Sequence, residues 1–234
     1  MNDQKGKKEK VRSMFNDIAP KYDFLNHFLS AGIDKLWRKK VRKILLPEKP
    51  ETILDVATGT GDLAVELAKL KPKSIIGIDI AADMLEVGKE KIKRKNLDKI
   101  IKLQVGDSEK INFPDNYFDA VTVAFGVRNY ENLQKGLKEM NRVMKIGGKT
   151  VILEFSKPRN FPVKNVYNFY FKHILPQLGR FFSKNDEAYS YLPDSVSKFP
   201  EGENFINQLI NAGFKNPSQQ RLTFGIATIY TATK

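Results

Sequence analysis

The chain has 234 residues, 41% of them hydrophobic, so it is long enough for one sizeable α/β domain with insertions. It contains no cysteine, which excludes disulfide bonds, thiolate metal sites and cysteine nucleophiles. Forty basic and 27 acidic residues give a formal charge of +13, which favours nucleic acid or an anionic membrane as a partner, unless it reflects an ion-paired surface of thermophilic type.

The N-terminal segment is basic and polar. Residues 1–10 carry four lysines without apolar periodicity, which predicts a flexible tail. No apolar core follows these lysines, and no apolar run approaches the roughly 18–20 residues that span a bilayer. We therefore expect a cytoplasmic protein in which residues 11–234 form a single domain.

The segment 11–46 precedes the first strand. From Met14 to Leu46 apolar and aromatic residues recur at helical spacing, with breaks at Pro20 and Gly32. This pattern predicts two or three short helices that form a cap over a pocket.

Beyond residue 50 the pattern alternates between strands and helices. The predicted elements are strands 51–57, 74–80, 100–106, 118–124, 148–155, 215–222 and 225–233, and helices 61–71, 82–95, 131–145 and 202–212. This order predicts a doubly wound, mostly parallel, seven-stranded Rossmann-like sheet with an antiparallel hairpin at its edge.

Two features qualify this alternation. Gly147 and Gly148 are expected to stop the helix 131–145. The segment 156–200 interrupts the pattern and is rich in aromatic residues, so it predicts an inserted, largely helical cover. Aromatic and basic residues are interleaved over 161–182, which is typical either of a peripheral contact with an anionic membrane or of rings that pack over the active site.

A glycine turn follows the first strand. Gly59 and Gly61 allow a tight turn at which a nucleotide-like cofactor contacts backbone N–H groups and the start of a helix. Asp79 ends the second strand 20 residues after Gly59, where a carboxylate binds both hydroxyls of a ribose. NAD fits this spacing too, but Asp55 and Asp62 would repel its pyrophosphate. The positive charges of S-adenosylmethionine fit them better.

The loops after the third and fourth strands also end at the ligand-binding edge of such a sheet. Asp107 and Ser108 suit the hydrogen-bonding groups of an adenine, or they form an Asx turn. Arg128 and Asn129 could orient an oxygen-bearing substrate, although a surface arginine is commonly just solvated.

Five stretches together resemble one enzyme family. They are Asp55-Val56-Ala57-Thr58-Gly59-Thr60-Gly61-Asp62, Phe125-Gly126-Val127-Arg128-Asn129, Leu153-Glu154-Phe155-Ser156-Lys157-Pro158, Tyr191-Leu192-Pro193-Asp194-Ser195 and Leu222-Thr223-Phe224-Gly225-Ile226-Ala227. The chain is similar in them, and from about Val11 onwards, to the quinone-biosynthesis C-methyltransferases that act on demethylmenaquinone and ubiquinone precursors. The resemblance implies a class I methyltransferase fold and S-adenosylmethionine-dependent methylation of a prenylated quinol ring, with demethylmenaquinol the favoured substrate. It also implies cofactor contacts by Thr58, Asp79, Asp107, Ser108 and the backbone of Ala124.

Methylation of a ring carbon requires a hydroxyl of the quinol to lose or share its proton. The hypothesis is that Arg128 stabilises the phenolate, Asn129 fixes the hydroxyl, and water or Glu154 receives the proton, with no metal. A methyltransferase acting on another small molecule or on RNA is an alternative. The nucleic-acid class typically carries Asn/Asp-Pro-Pro-aromatic after the fourth strand, which this chain lacks, so no nucleic acid partner is expected. A non-catalytic module that kept the cofactor pocket is a further alternative.

Overall fold

The computed structural model describes residues 6–30, 32–170 and 186–234. Three helices precede the sheet: α1 (Lys7–Ile18), α2 (Tyr22–Leu29) and α3 (Ile33–Leu45). They agree with the short helices expected before the first strand.

Helix α1 begins at Lys7, inside the segment 1–10 that the sequence predicts to be a flexible tail. The first turn is held because Lys7 Nζ donates to the carbonyl oxygens of Arg128 and Tyr130, at 3.1 and 2.6 Å. Lys8 Nζ forms an ion pair with Asp107, 2.8 Å away. Lysines that pattern reasoning assigns to a solvated tail therefore contact the body of the protein.

The sheet has seven strands in the order β3-β2-β1-β4-β5-β7-β6. The strands are β1 (Thr52–Val56), β2 (Ser74–Asp79), β3 (Ile101–Val105), β4 (Phe118–Ala124), β5 (Met144–Phe155), β6 (Lys215–Leu222) and β7 (Ala227–Thr233). The first five are parallel, and β7 is antiparallel to both β5 and β6. The predicted fold class and its antiparallel edge are confirmed.

Helices cover both faces of the sheet. The remaining α-helices in the described residues are α4 (Asp62–Leu67), α5 (Ala82–Arg94), α6 (Leu133–Val143), α7 (Val163–Phe169), α8 (Asp186–Lys198) and α9 (Glu203–Asn211). Apolar side chains of α3, α4 and α5 pack on one face, and those of α6 and α9 pack on the other. The β-branched and leucine-rich strands are buried between these layers, which is typical of a doubly wound sheet.

The predicted role of Gly147 and Gly148 is wrong. Helix α6 ends at Val143, and β5 begins at Met144, which is extended and pairs with Phe118. The glycines lie within β5 at an irregularity in its pairing with β4, and a Cβ on Gly148 would lie 2.8 Å from the Asp119 carbonyl oxygen. They allow a bulge in the strand and do not cap the helix.

The segment 156–200 contains α7 and α8, in agreement with a helical insertion. Residues 171–185, with Phe171, Phe181 and Phe182, lie outside the described part of the chain. Within the described ranges, no helix combines the length and apolarity needed to cross a bilayer.

Candidate active site

The glycine turn connects β1 to α4 and is fixed by its backbone. The Thr58 N–H donates to the carbonyl oxygen of Ile78 in β2 at 3.0 Å, and the Gly61 N–H donates to that of Thr58 at 2.9 Å. Gly59 and Gly61 have φ angles of 57° and 79°, a region that glycine enters without steric cost. The turn thus lies at the carboxyl edge of the sheet, where ligands of such folds bind.

A cleft of about 650 Å³, counted with its open mouth, lies beside this turn; we call it the first cleft. Five residues predicted to bind the cofactor line it: Gly59, Asp79, Asp107, Ser108 and Ala124. Asp55 and Thr58 line a smaller adjoining cavity. Gly61 lines neither, because a Cβ at this position would face Ile92 and Leu103.

Asp79 lies at the end of β2 and joins the turn to α5. Its two carboxylate oxygens accept hydrogen bonds from the backbone N–H groups of Gly59 and Ala81, at 2.8 and 2.9 Å. Burial raises the pKa of Asp79, and these two hydrogen bonds oppose that rise. A carboxylate oxygen has more than one lone-pair site, so Asp79 can also accept from a ligand in the first cleft.

Asp55 is a buried carboxylate beneath the turn. Its oxygens accept hydrogen bonds from the hydroxyls of Thr58 and Thr122, at 2.7 and 2.8 Å. Burial is the main cause that raises the pKa of Asp55 to about 6, against the lowering effect of the two threonines. Thr58 therefore uses its side chain to hold Asp55 beneath the turn.

Asp107 is held by two partners. One oxygen accepts from the Glu109 N–H at 2.8 Å, which is the Asx-type turn that was the alternative interpretation of this loop. The other pairs with Lys8 Nζ at 2.8 Å, and Lys8 also lies 3.4 Å from Glu109. A ligand that uses the Asp107 side chain must share it with Lys8.

Asp62 does not act as an isolated negative charge beside the turn, which corrects part of the argument against NAD. Lys91 Nζ lies 2.6 Å from Asp62, and Arg38 lies 3.6 Å from it. Burial raises the pKa of Asp62, but Arg38 and Lys91 outweigh burial and hold that pKa below its usual value. Lys91 also pairs with Asp23 of α2 at 2.5 Å, and Thr60 donates to Asp23 at 2.5 Å.

These contacts form part of a larger charged group, which we call the ion cluster. Its members are Asp23, His27, Asp34, Arg38, Asp62 and Lys91. His27, Asp34 and Asp62 come close enough together to resemble metal ligands, but the Arg38 guanidinium contacts both carboxylates. The positive charge at this point is therefore supplied by the protein.

The cap contributes residues that the sequence motifs did not identify. Phe15, Tyr22 and Lys8 line the first cleft from α1 and α2, and Met84 lines it from α5. Tyr22 lies 3.9 Å from the place of a Cβ on Gly59. The aromatic spacing after Met14 was the available signal, since it predicted a cap over a pocket without identifying the contacting side chains.

Arg128 lies in a single 3₁₀ turn, Val127–Asn129, after β4. Only 6% of its side chain is exposed. Nη1 pairs with Glu154 at 2.8 Å, Nε donates to Ser195 Oγ at 3.2 Å, and the guanidinium carbon lies 5.5 Å from the Phe155 ring centroid. Arg128 is therefore a structured residue, and the alternative of a merely solvated arginine does not apply.

Asn129 and Arg128 are consecutive residues that line two adjacent cavities. Asn129 lines the first cleft, while Arg128 lines a second cavity between α1 and α8, and Val11, Tyr130 and Glu131 line both. The Tyr191 hydroxyl donates to Asn129 Oδ1 at 3.1 Å. A ligand in the first cleft can thus approach a second ligand at the 127–130 turn.

Glu154 is not placed to receive a proton from a substrate. Its side chain is 0% exposed and does not line the clefts described above. Burial raises the pKa of Glu154, although the ion pair with Arg128 opposes that rise. The predicted proton acceptor is therefore reassigned: Glu154 holds the Arg128 guanidinium.

This chain is similar, in sequence and in structure, to known methyltransferases. Residues 3–234 match the model of the ubiE/COQ5 methyltransferase family. The demethylmenaquinone methyltransferase of Bacteroides fragilis is 50% identical over 234 residues, covering 100% of this chain and 95% of that protein. The ubiquinone/menaquinone biosynthesis C-methyltransferase UbiE of Geotalea daltonii is 49% identical over 230 residues, covering 97% of each. The structure of a SAM-dependent methyltransferase from Thermotoga maritima superimposes with a TM-score of 0.68 at 17% identity, over 96% of this chain and 99% of that one.

Proposed function

Because this chain belongs to the ubiE/COQ5 methyltransferase family, we propose that it uses S-adenosylmethionine to methylate a ring carbon of a prenylated quinol, with demethylmenaquinol as the substrate. The family, the enzyme class and the S-adenosylmethionine cofactor expected from the sequence are confirmed. The observation that carries the proposal is that Asn129 lines a carboxylate-lined cleft while its neighbour Arg128 lines an adjacent cavity that shares Val11, Tyr130 and Glu131 with it.

The charges of the first cleft fit S-adenosylmethionine. Asp79, Asp107, Glu109 and Glu131 line it, and Lys8 is the lining cation, already paired with Asp107 and Glu109. Acidic groups disfavour a pyrophosphate and favour a cofactor that carries an ammonium and a sulfonium. These four carboxylates therefore favour S-adenosylmethionine over NAD, although Asp62 is neutralised by Lys91 and Arg38.

The residues predicted for the cofactor would act in three ways. Asp79 would accept the ribose hydroxyls, and Asp107 with Ser108 and the backbone of Ala124 would contact the adenine. Gly59 supplies backbone without a side chain, and its Cβ position is already 3.2 Å from Met84. Asp55, Thr58 and Gly61 would hold the turn in the shape that binds the cofactor.

Asn129 and Arg128 would act on the quinol. The cofactor supplies an electrophilic methyl group, so the protein must increase the electron density of the ring carbon and exclude water. A phenol has a pKa near 10, and a nearby guanidinium lowers the cost of its ionisation. Arg128 would stabilise the phenolate with Nη2, since its Nη1 and Nε are bound to Glu154 and Ser195, and Asn129 would fix the oxygen. Water would take the hydroxyl proton as the phenolate forms. After the ring carbon has displaced the sulfur from the methyl group, the ring proton would pass through water to that oxygen, so that one proton is released overall.

The direct test uses the purified chain with methyl-labelled S-adenosylmethionine and chemically reduced demethylmenaquinone. The expected product is menaquinol, whose mass is one methyl-for-hydrogen replacement above that of the substrate. A demethylated ubiquinone precursor in a parallel reaction determines which quinol is preferred. Cofactor binding without turnover of either quinol would refute the proposed substrate class.

The proposal includes a cytoplasmic protein that reaches its prenylated substrate at the inner face of a membrane. Its support is a group of exposed apolar side chains, Phe161, Val166 and Phe224, near Lys157, Arg159 and Lys164. The Ser156 hydroxyl donates to the Gly225 carbonyl oxygen at 2.8 Å, which brings the 223–225 turn against the start of the insertion. Apolar side chains among cations are typical of peripheral binding to anionic lipid.

A further inference from the structure

Helix α8 comes from the insertion between β5 and β6, yet it contacts the turn after β4. Tyr191 and Ser195 lie four residues apart in this helix and therefore share one face. Tyr191 contacts Asn129, and Ser195 contacts Arg128. The two consecutive residues proposed to act on the quinol are thus each bound by a hydroxyl of the same helix.

The hydrogen bond at Ser195 has a defined direction. Ser195 Oγ donates its proton to the Leu192 carbonyl oxygen at 2.9 Å, so its lone pairs are directed elsewhere. Arg128 Nε donates to that oxygen at 3.2 Å, while Nη1 is bound to Glu154. Nη1 also donates to the Phe125 carbonyl oxygen, so the bond from Nε to Ser195 is the one that prevents the guanidinium from turning about Nη1. These bonds leave Nη2 as the group that has no hydrogen-bond partner among the described residues.

The hydrogen bond at Tyr191 sets the orientation of an amide. The Tyr191 hydroxyl is the donor and Asn129 Oδ1 is the acceptor, 3.1 Å apart. The Asn129 amide nitrogen then faces away from Tyr191, and within the described ranges it has no hydrogen-bond partner. Because Asn129 lines the first cleft and its neighbour Arg128 lines the adjacent cavity, this orientation leaves a hydrogen-bond donor available between the proposed positions of the cofactor and the quinol.

We infer that Tyr191 and Ser195 are positioning residues, which orient Asn129 and Arg128 so that both present N–H donors to the quinol oxygen. This inference rests on the proposed function and adds the two side chains that organise its site. Without these hydroxyls the asparagine amide can rotate by half a turn and the guanidinium can swing, so the phenolate loses preorganised donors.

The kinetic test is a double-mutant cycle on kcat. Tyr191→Phe should lower kcat about five- to tenfold, the effect of losing one neutral hydrogen bond that acts in the transition state. In an Asn129→Ala background, Tyr191→Phe should have no further effect, because its target is gone. The affinity for S-adenosylmethionine and the melting temperature should stay near those of the parent. A full, multiplicative effect of Tyr191→Phe in the Asn129→Ala background would overturn the inference.

Matched controls exist for both hydroxyls. Ser197 donates to the Asp194 carbonyl oxygen at 2.9 Å, as Ser195 does to Leu192, but Ser197 is exposed and has no contact with Arg128. Ser195→Ala should lower kcat, Ser195→Thr should restore it in part, and Ser197→Ala should leave it unchanged. Tyr117→Phe, at the opposite edge of the sheet, is the control for Tyr191→Phe.

Nuclear magnetic resonance gives a readout that does not need the quinol. Tyr191→Phe should shift the Asn129 side-chain amide protons, and Ser195→Ala should shift the Arg128 Nε–H signal and speed its exchange with solvent. Unchanged signals in both variants would refute the positioning role even if the enzyme is active. If the parent chain shows no turnover, the proposed function is refuted. The spectra still test whether Tyr191 and Ser195 orient Asn129 and Arg128, because they do not depend on activity.

Discussion

Asp79 is the side chain on which cofactor affinity should depend most strongly. Each hydrogen bond from a ribose hydroxyl to this carboxylate contributes about 1.5–3 kcal/mol, so Asp79→Ala should weaken binding of S-adenosylmethionine by at least about tenfold. Calorimetry measures the dissociation constant. Asp83→Ala is the control, because Asp83 is an exposed acid in the first turn of α5, the helix that follows Asp79, and does not line the cleft. Equal affinities of parent and Asp79→Ala would place the ribose elsewhere.

Asp55 should make folding stability depend on pH in an unusual direction. Its pKa rises from 3.8 to about 6 on folding, mainly through burial, so its favourable contribution is complete below 3.8 and is lost as the pH rises through 6. A difference of about two pKa units corresponds to about 3 kcal/mol. Asp55→Asn should therefore gain stability relative to the parent, by up to this amount, between about pH 4 and pH 7.

Urea unfolding at several pH values measures this difference. Asp119→Asn should behave in the opposite way, because Lys145 and Thr52 hold the pKa of Asp119 below its usual value despite some desolvation, so its contribution is lost as the pH falls. Parallel pH profiles for the parent and Asp55→Asn would show that the Asp55 carboxyl is not buried as described.

Lys91 connects three helices through the ion cluster. It lies on α5, pairs with Asp23 of α2 and with Asp62 of α4, and also donates to the Thr60 hydroxyl at 3.0 Å. Lys91→Ala leaves two partly buried carboxylates without this cation. It should lower the free energy of unfolding by about 1–3 kcal/mol and weaken cofactor binding, because the glycine turn loses one of its links to the cap, although the hydrogen bond from Thr60 to Asp23 remains.

Lys89→Ala is the matched control in the same helix. Lys89 forms an exposed pair with Glu86 at 2.7 Å, and a pair of this kind contributes only about 0.3–0.5 kcal/mol. Denaturation in urea and calorimetry with the cofactor compare the two variants. If Lys91→Ala lowers the free energy of unfolding and the cofactor affinity no more than Lys89→Ala does, the ion cluster does not hold the cap.

The elements that the sequence predicted well are those whose signal is local. Strands β4 and β7 were found almost to the residue, because each is a short, mostly buried apolar run between turn residues. The bounds of β6 also match, although this strand is polar and mostly exposed. The helix 131–145 was too long because its stop was assigned to Gly147 and Gly148, whereas Met144 leaves the helix to pair with Phe118. Strand pairing is a tertiary contact, and helical periodicity contains no information about it.

The difference between local signals and tertiary contacts also explains which parts of the site could be predicted from the sequence. The carboxyl edge follows from the alternation of strands and helices, so Asp79, Asp107 and Asn129 could be placed at one cleft in advance. The pairing of Lys8 with Asp107, 99 residues later, depends on how the cap folds over the sheet. The contacts of Tyr191 and Ser195 with the 127–130 turn depend likewise on the path of the insertion, which no local pattern specifies.

Membrane association is the prediction that involves the surface of the whole molecule. Phe161 and Phe224 are 81% and 80% exposed. Phe161 lies in the segment that carries Lys157, Arg159 and Lys164, and Phe224 lies in the turn that contacts the start of this segment through Gly225. Phe224 also has a φ of 56°, which costs free energy for an aromatic residue and is typical of a functional turn. We expect the parent chain to co-sediment with anionic vesicles more than with neutral ones, and less at high salt, because salt screens the attraction between lysine and lipid phosphate.

The double variant Phe161→Ser/Phe224→Ser should lose most of this binding and keep the melting temperature of the parent, because both rings are already solvated. Ile146→Ser is the control, since Ile146 is 80% exposed in the bulge near the start of β5, at the opposite edge of the sheet. The control should bind vesicles as the parent does if the carboxyl edge faces the lipid. Equal binding by all three proteins would leave only a nonspecific attraction of the +13 charge to anionic lipid, and would refute the apolar contact at the carboxyl edge.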